Sequence, residues 1–151
     1  VPDILRACSS KRIVSLRNPH AIRPWQHVVE PISGYILLAE YLTANGTEYS
    51  GSWNLGPSGD DQTTVEVVAK KLIELLGGGI KIEINDRSWP HEADTLKLDV
   101  TKAHQKLGWD SKWSLDTAIK KVVEWHQGER SGVDMLSMCS NQIDEYVREQ
   151  R

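Results

Sequence analysis

Two cysteines, Cys8 and Cys139, are all that the 151 residues contain, and their separation matches no metal-binding or redox spacing. Nothing in them calls for an oxidising compartment. Basic charge is not in excess either. The formal net charge is -3 and the isoelectric point lies near 6.0, so no global field favours nucleic acid. The longest mainly apolar run, residues 35–42, is interrupted by Glu40 and is far too short to span a bilayer. The N-terminus has neither the basic region nor the apolar stretch of a signal peptide. A reduced, cytoplasmic setting is the resulting expectation.

The usual marks of a self-sufficient active site are missing as well. There is no Walker sequence, no dinucleotide fingerprint and no serine-nucleophile context. Gly77, Gly78 and Gly79 follow a predicted helix and precede a predicted strand, the reverse of a phosphate-binding turn, so they read as a helix stop. The five histidines are scattered. His91 beside Glu92 could be an acid–base pair or half a metal site, but no second cluster completes it, and no metal is expected. On its own residues the chain does not read as a complete enzyme.

What it does contain is one unusual stretch, residues 17–31, which sets two arginines, two histidines and a tryptophan between three prolines. Proline fixes φ and removes a backbone donor, so this run is not a helix interior. It reads as an extended segment, a turn and a short strand over residues 25–29. A stiff backbone carrying guanidinium forks and a flat aromatic suits an anionic ligand with a planar part, such as a nucleotide. The same run would also serve as a proline-stiffened polar loop with Trp25 plugging a core.

Around it, helices alternate with short strands in one α/β unit. Helices are expected over residues 2–10, 30–44, 64–76, 101–107, 115–130 and 134–151, and strands over 13–16, 52–55, 80–84 and 96–98. Residues Ile32, Tyr35, Ile36, Leu38, Ala39 and Leu42 cover most of the second helix's circumference, which predicts a largely buried element. Thr63 or Thr64 caps the third, and Glu66 three residues beyond Thr63 forms a capping box. Ser114 caps the fifth. The chain opens at Val1 and Pro2 without a methionine, in what reads as a first helical turn; a segment cut from a longer polypeptide is the expectation.

Two polar loops bounded by prolines, residues 18–30 and 86–94, each carry arginine, tryptophan and histidine. A third edge follows Trp53 and Asn54. Loops of this kind on a helix–strand scaffold concentrate ligand contacts. Trp25 and Trp53 could equally be core residues, and Asn54 could bind ligand or merely finish a strand.

These residues carry a family resemblance. Arg23-Pro24-Trp25-Gln26-His27-Val28-Val29-Glu30, followed by an apolar helix, resembles the R-D-[WY]-x-[YH]-V-x-D segment of extended short-chain dehydrogenase/reductases that act on nucleotide sugars. Trp53-Asn54-Leu55-Gly56 resembles the family's YN[IL]G strand. Leu98-Asp99-Val100-Thr101-Lys102-Ala103 with Leu107-Gly108-Trp109 resembles its x-D-x-[ST]-K-A…LGW run. Ser114-Leu115 through Val123-Glu124-Trp125 resembles its [ST]-L-x-x-[GA]-I…T-V-x-W-[YH] helix. The strings Arg17 to Val28 and Trp89-Pro90-His91-Glu92-Ala93 closely resemble the branch of 4,6-dehydratases that act on CDP-sugars.

The resemblance implies a small mixed helix–strand substrate-binding domain of an extended dehydrogenase/reductase, lacking the Rossmann NAD-binding core. In such enzymes NAD is bound by an N-terminal domain that also supplies a Tyr-x-x-x-Lys pair, and the family pattern implies a homo-oligomer. C4 of the sugar is oxidised, water is lost across C5–C6, and the hydride returns to C6. No catalytic residue is then expected among these 151, and helix faces that meet the Rossmann domain would be exposed in this chain alone. By analogy Arg23 contacts the pyrophosphate of the CDP-sugar. Arg87, His91, Asn54 and Trp25 complete the implied substrate-binding set, with the second phosphate contact open between Arg87 and His91.

Overall fold

The computed structural model describes residues 1–57, 62–85 and 93–149. Helix α1 (Pro2–Ser9) begins with proline in its first turn, where a missing N–H costs nothing. It leads into β1 (Val14–Leu16) and then β2 (Ile22–Pro24). Helix α2 (Val29–Asn45) ends at Gly46, whose φ of 61° leads into a short 3-10 turn, Gly46–Tyr49. Strand β3 (Gln62–Thr64) runs directly into α3 (Val65–Leu75), and β4 (Ile82–Ile84) follows three glycines with positive φ. Helices α4 (Thr101–Leu107), α5 (Leu115–Arg130) and α6 (Met135–Arg148) complete the chain.

The strands form two small ribbons. β1 lies parallel to β4, with Val14 opposite Ile82 and Leu16 opposite Ile84. β2 lies antiparallel to β3, with Ile22 opposite Thr64 and Pro24 opposite Gln62. Below the first ribbon, α1, α3 and α5 enclose the main core around Leu72, joined by Ile4, Val14, Leu16, Val68 and Ile119. A second core gathers Leu55, Ala103, Leu107 and Trp109 against Leu37, Leu38 and Tyr41 of α2.

Several expectations hold. α4 and α5 have the expected bounds, and the Ser114 hydroxyl accepts the Thr117 N–H at 3.2 Å as the cap of α5. Others do not. The strand expected over 25–29 is displaced: the ladder falls on Ile22–Pro24, because that is where Gln62–Thr64 supplies a partner. Residues 25–28 are tied instead by side chains, and α2 already begins at Val29. Residues 52–55 and 96–98 form no ladder. Asn54 is exposed and Leu55 buried, yet no neighbouring strand lies beside them among the described residues; just ahead of residues 96–98, Thr95 bridges to Ile22, and the Leu96 N–H donates to the Ile22 carbonyl at 3.1 Å. The capping box is also absent. Thr64 caps α3 by accepting the Val67 N–H, while Glu66 turns to Lys70 at 2.7 Å.

The largest departure concerns α2. Its one-sided packing leaves Tyr35 60% and Ile36 59% exposed, with Ile32 also open. One side of the helix approaches the second core closely enough that a Cβ on Gly34 would lie 2.6 Å from a Leu55 methyl. On the other side Tyr35 and Ile36 stay largely open, and Ile32 lines a cavity shared with Val122, Trp125 and Ile143. An all-round apolar pattern predicts burial only where enough chain exists to surround the helix.

Candidate functional site

The stretch that dominates the sequence also shapes the surface. Arg17 and Asn18 follow β1 into a turn, closed by the Ala21 N–H on the Asn18 carbonyl at 3.3 Å. The carbonyls of Pro19 and Ala21 accept the N–H groups of Glu66 and Val65 at 2.9 and 3.0 Å. Together with the Thr64 cap, they satisfy the donors that open α3. That helix start is therefore locked to the loop and is not an anion site.

β2 then carries Arg23 along the edge of a cleft of about 270 Å³. Ser15, Arg17, Asn18, Arg23, Trp25 and Asp3 contribute its polar and aromatic lining, over a floor that includes Ile4, Val14 and Val68. The Arg23 Nη1 donates to the Ile22 carbonyl at 2.8 Å and to the Ala93 carbonyl at 3.0 Å. The guanidinium thus straps the returning loop to β2, beside the Ile22 N–H that donates to the Asp94 carbonyl at 2.8 Å. Trp25 stands half-buried between the cleft and the main core, its Nε1 donating to the Thr63 carbonyl at 3.0 Å. It is at once a packing residue and a wall.

Of the residues singled out from the sequence, the fold brings Arg23 and Trp25 together and adds Arg17 to them. Asn54 lies elsewhere: its amide donates to the Asp99 carbonyl at 3.1 Å, and it does not line the cleft. Trp53 is clamped too, with its indole N–H on the Tyr49 carbonyl at 2.9 Å and the Lys102 ammonium 4.0 Å from its ring centroid. Arg87 and His91 lie outside the described residues. Ser15 and Asp3 were not legible as site residues: Asp3 comes from α1, and Ser15 lies just ahead of the stretch that drew attention. Ser15 carried one weak signal, a polar residue at the outward position of an alternating strand.

The segment between Arg23 and α2 is held at several points. Gln26 Nε2 donates to the Leu55 carbonyl at 2.9 Å. His27 Nδ1 accepts the Val29 N–H at 3.3 Å. Burial holds the His27 imidazole below its usual pKa, and the Lys121 charge adds to the effect.

No family model matches the chain. It is 42% identical over 147 residues to CDP-glucose 4,6-dehydratase of Salmonella typhimurium, an alignment that covers 97% of this chain and 41% of that protein. Its fold superposes on UDP-glucuronic acid 4-epimerase from Bacillus cereus with a TM-score of 0.71 at 15% identity, covering 84% of this chain and 39% of that one. It also superposes on dTDP-glucose 4,6-dehydratase from Bacillus anthracis with a TM-score of 0.64 at 15% identity, covering 87% and 40%. The chain therefore spans about two fifths of the length of the proteins it matches. It is similar to CDP-glucose 4,6-dehydratase along nearly its whole length, and its fold is that of part of the nucleotide-sugar dehydratase and epimerase it superposes on.

Proposed function

We propose that this chain is the nucleotide-sugar-binding part of an NAD-dependent CDP-glucose 4,6-dehydratase, which converts CDP-glucose to CDP-4-keto-6-deoxyglucose. The observation that carries the reading is the 42% identity along 97% of the chain to an enzyme of that name. The cleft supports it: two arginines and an indole border one concavity, a combination suited to phosphates joined to a flat base. In this reading Arg23 meets the pyrophosphate and Trp25 walls the site. Arg87 or His91 supplies the second phosphate contact, and Asn54, which does not line this cleft, acts from the separate edge that follows Trp53.

The residues present do not fit NAD. Gly77, Gly78 and Gly79, with φ of 102°, 68° and 76°, end α3 and lead towards β4, so no strand–glycine turn–helix cradle is formed by them. No tyrosine in the sequence is followed four residues later by lysine. We assign cofactor binding and the chemical step to residues outside these 151, and leave to this chain the holding of substrate.

The test is a comparison of CDP-glucose, UDP-glucose and dTDP-glucose as substrates of the natural polypeptide carrying these residues, with and without Arg23→Ala. Turnover of CDP-glucose in preference to the others is expected. Arg23→Ala should weaken substrate binding by about 1.5–3 kcal/mol, the scale of a charged hydrogen bond. Preference for a UDP- or dTDP-sugar would overturn the CDP assignment, and unchanged affinity in the variant would overturn the pyrophosphate contact.

A further inference from the structure

Among the described residues, Glu30 is the charged side chain with no exposed surface, at 0%. A carboxylate in that position is costly unless its lone pairs are filled. Here they are filled by neutral donors. The Trp113 N–H reaches one oxygen at 2.7 Å, the Lys112 N–H spans both at 3.0 and 3.1 Å, and the Tyr146 hydroxyl donates to the second at 2.7 Å. Ser33, next along the same face of α2, extends the network. Its hydroxyl accepts the Trp109 indole N–H at 2.9 Å and lies 2.9 Å from the Tyr146 hydroxyl.

The position of this knot in the chain matters more than its strength. Only residues 25–28 separate the end of β2 from the start of α2, and none of them has a strand partner. β2 itself is held by a ladder of three residues. Alongside the anchors of Trp25 on the Thr63 carbonyl and Gln26 on the Leu55 carbonyl, the direction of Arg23 therefore depends in part on where α2 begins. That point is set by Glu30, which pins it to residues 112 and 113 and to the last turn of α6. The same contact carries Trp113 against His27, ring centroids 5.1 Å apart.

We infer that Glu30 is a positioning residue for the cleft: its carboxylate fixes the start of α2 on the 112–113 crossover and on α6, and so holds the segment bearing Arg23 and Trp25 in place for the nucleotide. Helix α6, which contributes no residue to the cleft lining, thereby becomes part of the binding apparatus through Tyr146. The inference rests on the reading of Arg23 as a phosphate contact.

The test uses the natural polypeptide, CDP as the probe of binding and CDP-glucose as the probe of turnover. Glu30→Gln keeps the shape but aims an amide N–H₂ at groups that are themselves donors. It should raise the Kd for CDP about three- to ten-fold, within the range for residues coupled through one network. KM for CDP-glucose should rise with it while kcat stays within about two-fold. In an Arg23→Ala background Glu30→Gln should add less than it does in the wild type, because the charged group it positions is gone and only Trp25 remains. A purely structural role would lower the folded, binding-competent fraction and leave Kd unchanged.

Wild-type Kd and KM in Glu30→Gln, or a full additional loss on top of Arg23→Ala, would overturn the inference while the Arg23 assignment stands. If Arg23→Ala alone leaves Kd unchanged, the pyrophosphate reading falls and this inference with it. Should Glu30→Gln fail to fold by circular dichroism, Tyr146→Phe, which removes one donor, takes its place and should show the same KM-selective loss. Unfolding of both would assign the network to stability alone and overturn the proposal.

Discussion

His27 and Trp113 meet edge to face across the base of α2, their ring planes inclined at 61°. The imidazole is partly buried there and must keep Nδ1 unprotonated to accept the Val29 N–H. Its pKa is lowered from the usual 6.5 by burial first and by Lys121 second. The unfolded chain thus binds this proton more readily than the folded one. The stability contributed by neutral His27 is present above pH 6.5 and is lost as pH falls below it, towards the depressed folded value. Urea midpoints followed from about pH 8 to about pH 5 should decline more steeply in the wild type than in His27→Gln. Parallel curves would show that His27 does not titrate differently on folding.

The contact of Gly34 with Leu55 sets two effects of similar size against each other. Alanine is the better helix former by about 1 kcal/mol, but its Cβ would stand 2.6 Å from one Leu55 methyl, 2.8 Å from the other and 3.2 Å from Cγ. Leu55 is buried in the second core and has little room to retreat. Overpacking of this kind costs about 1–3 kcal/mol, so Gly34→Ala should be net destabilising. Combining it with Leu55→Ala should cost less than the sum of the two changes. A stabilised Gly34→Ala in chemical denaturation would mean that Leu55 moves aside freely.

Ile36 gives the opposite expectation. It is 59% exposed on the open side of α2, so Ile36→Lys should change the stability of the 151-residue chain by less than about 0.5 kcal/mol. It should also lower self-association in sedimentation, because it breaks an exposed apolar patch. A loss of several kcal/mol would show that this side of the helix is packed in solution.

The chain of 151 residues, supplied with NAD and CDP-glucose, should form no 4-keto-6-deoxy sugar. It holds no Tyr-x-x-x-Lys pair and no glycine fingerprint. Chromatography of the sugar nucleotide after incubation checks this. Product that depends on NAD would place catalytic groups within these residues.

The helices were legible because their signals are local. Pro2 at a first turn, Ser114 before an apolar period and Gly108 after one each act within a few residues, and α1, α4 and α5 begin or end there. The strands were legible only in part. Val14–Leu16 and Ile82–Ile84 alternate and found each other. Ile22–Pro24 is a strand because Gln62–Thr64 lies beside it, whereas residues 52–55 have the composition of a strand and no neighbour among the described residues. A ladder needs two partners, and sequence describes one at a time.

The same division runs through the site. Sequence alone determined that Arg23 and Trp25 would lie on a proline-stiffened segment just ahead of an apolar helix, since proline geometry and side-chain type are properties of the residues themselves. Only the tertiary structure decided that Arg17 and Ser15 would share their cleft, and that the face of α2 would be half open. It alone also decided that Glu30 would be the most deeply buried charge among the described residues, reached by Lys112, Trp113 and Tyr146. Burial is a property of what surrounds a residue, and those donors come from more than 80 positions away.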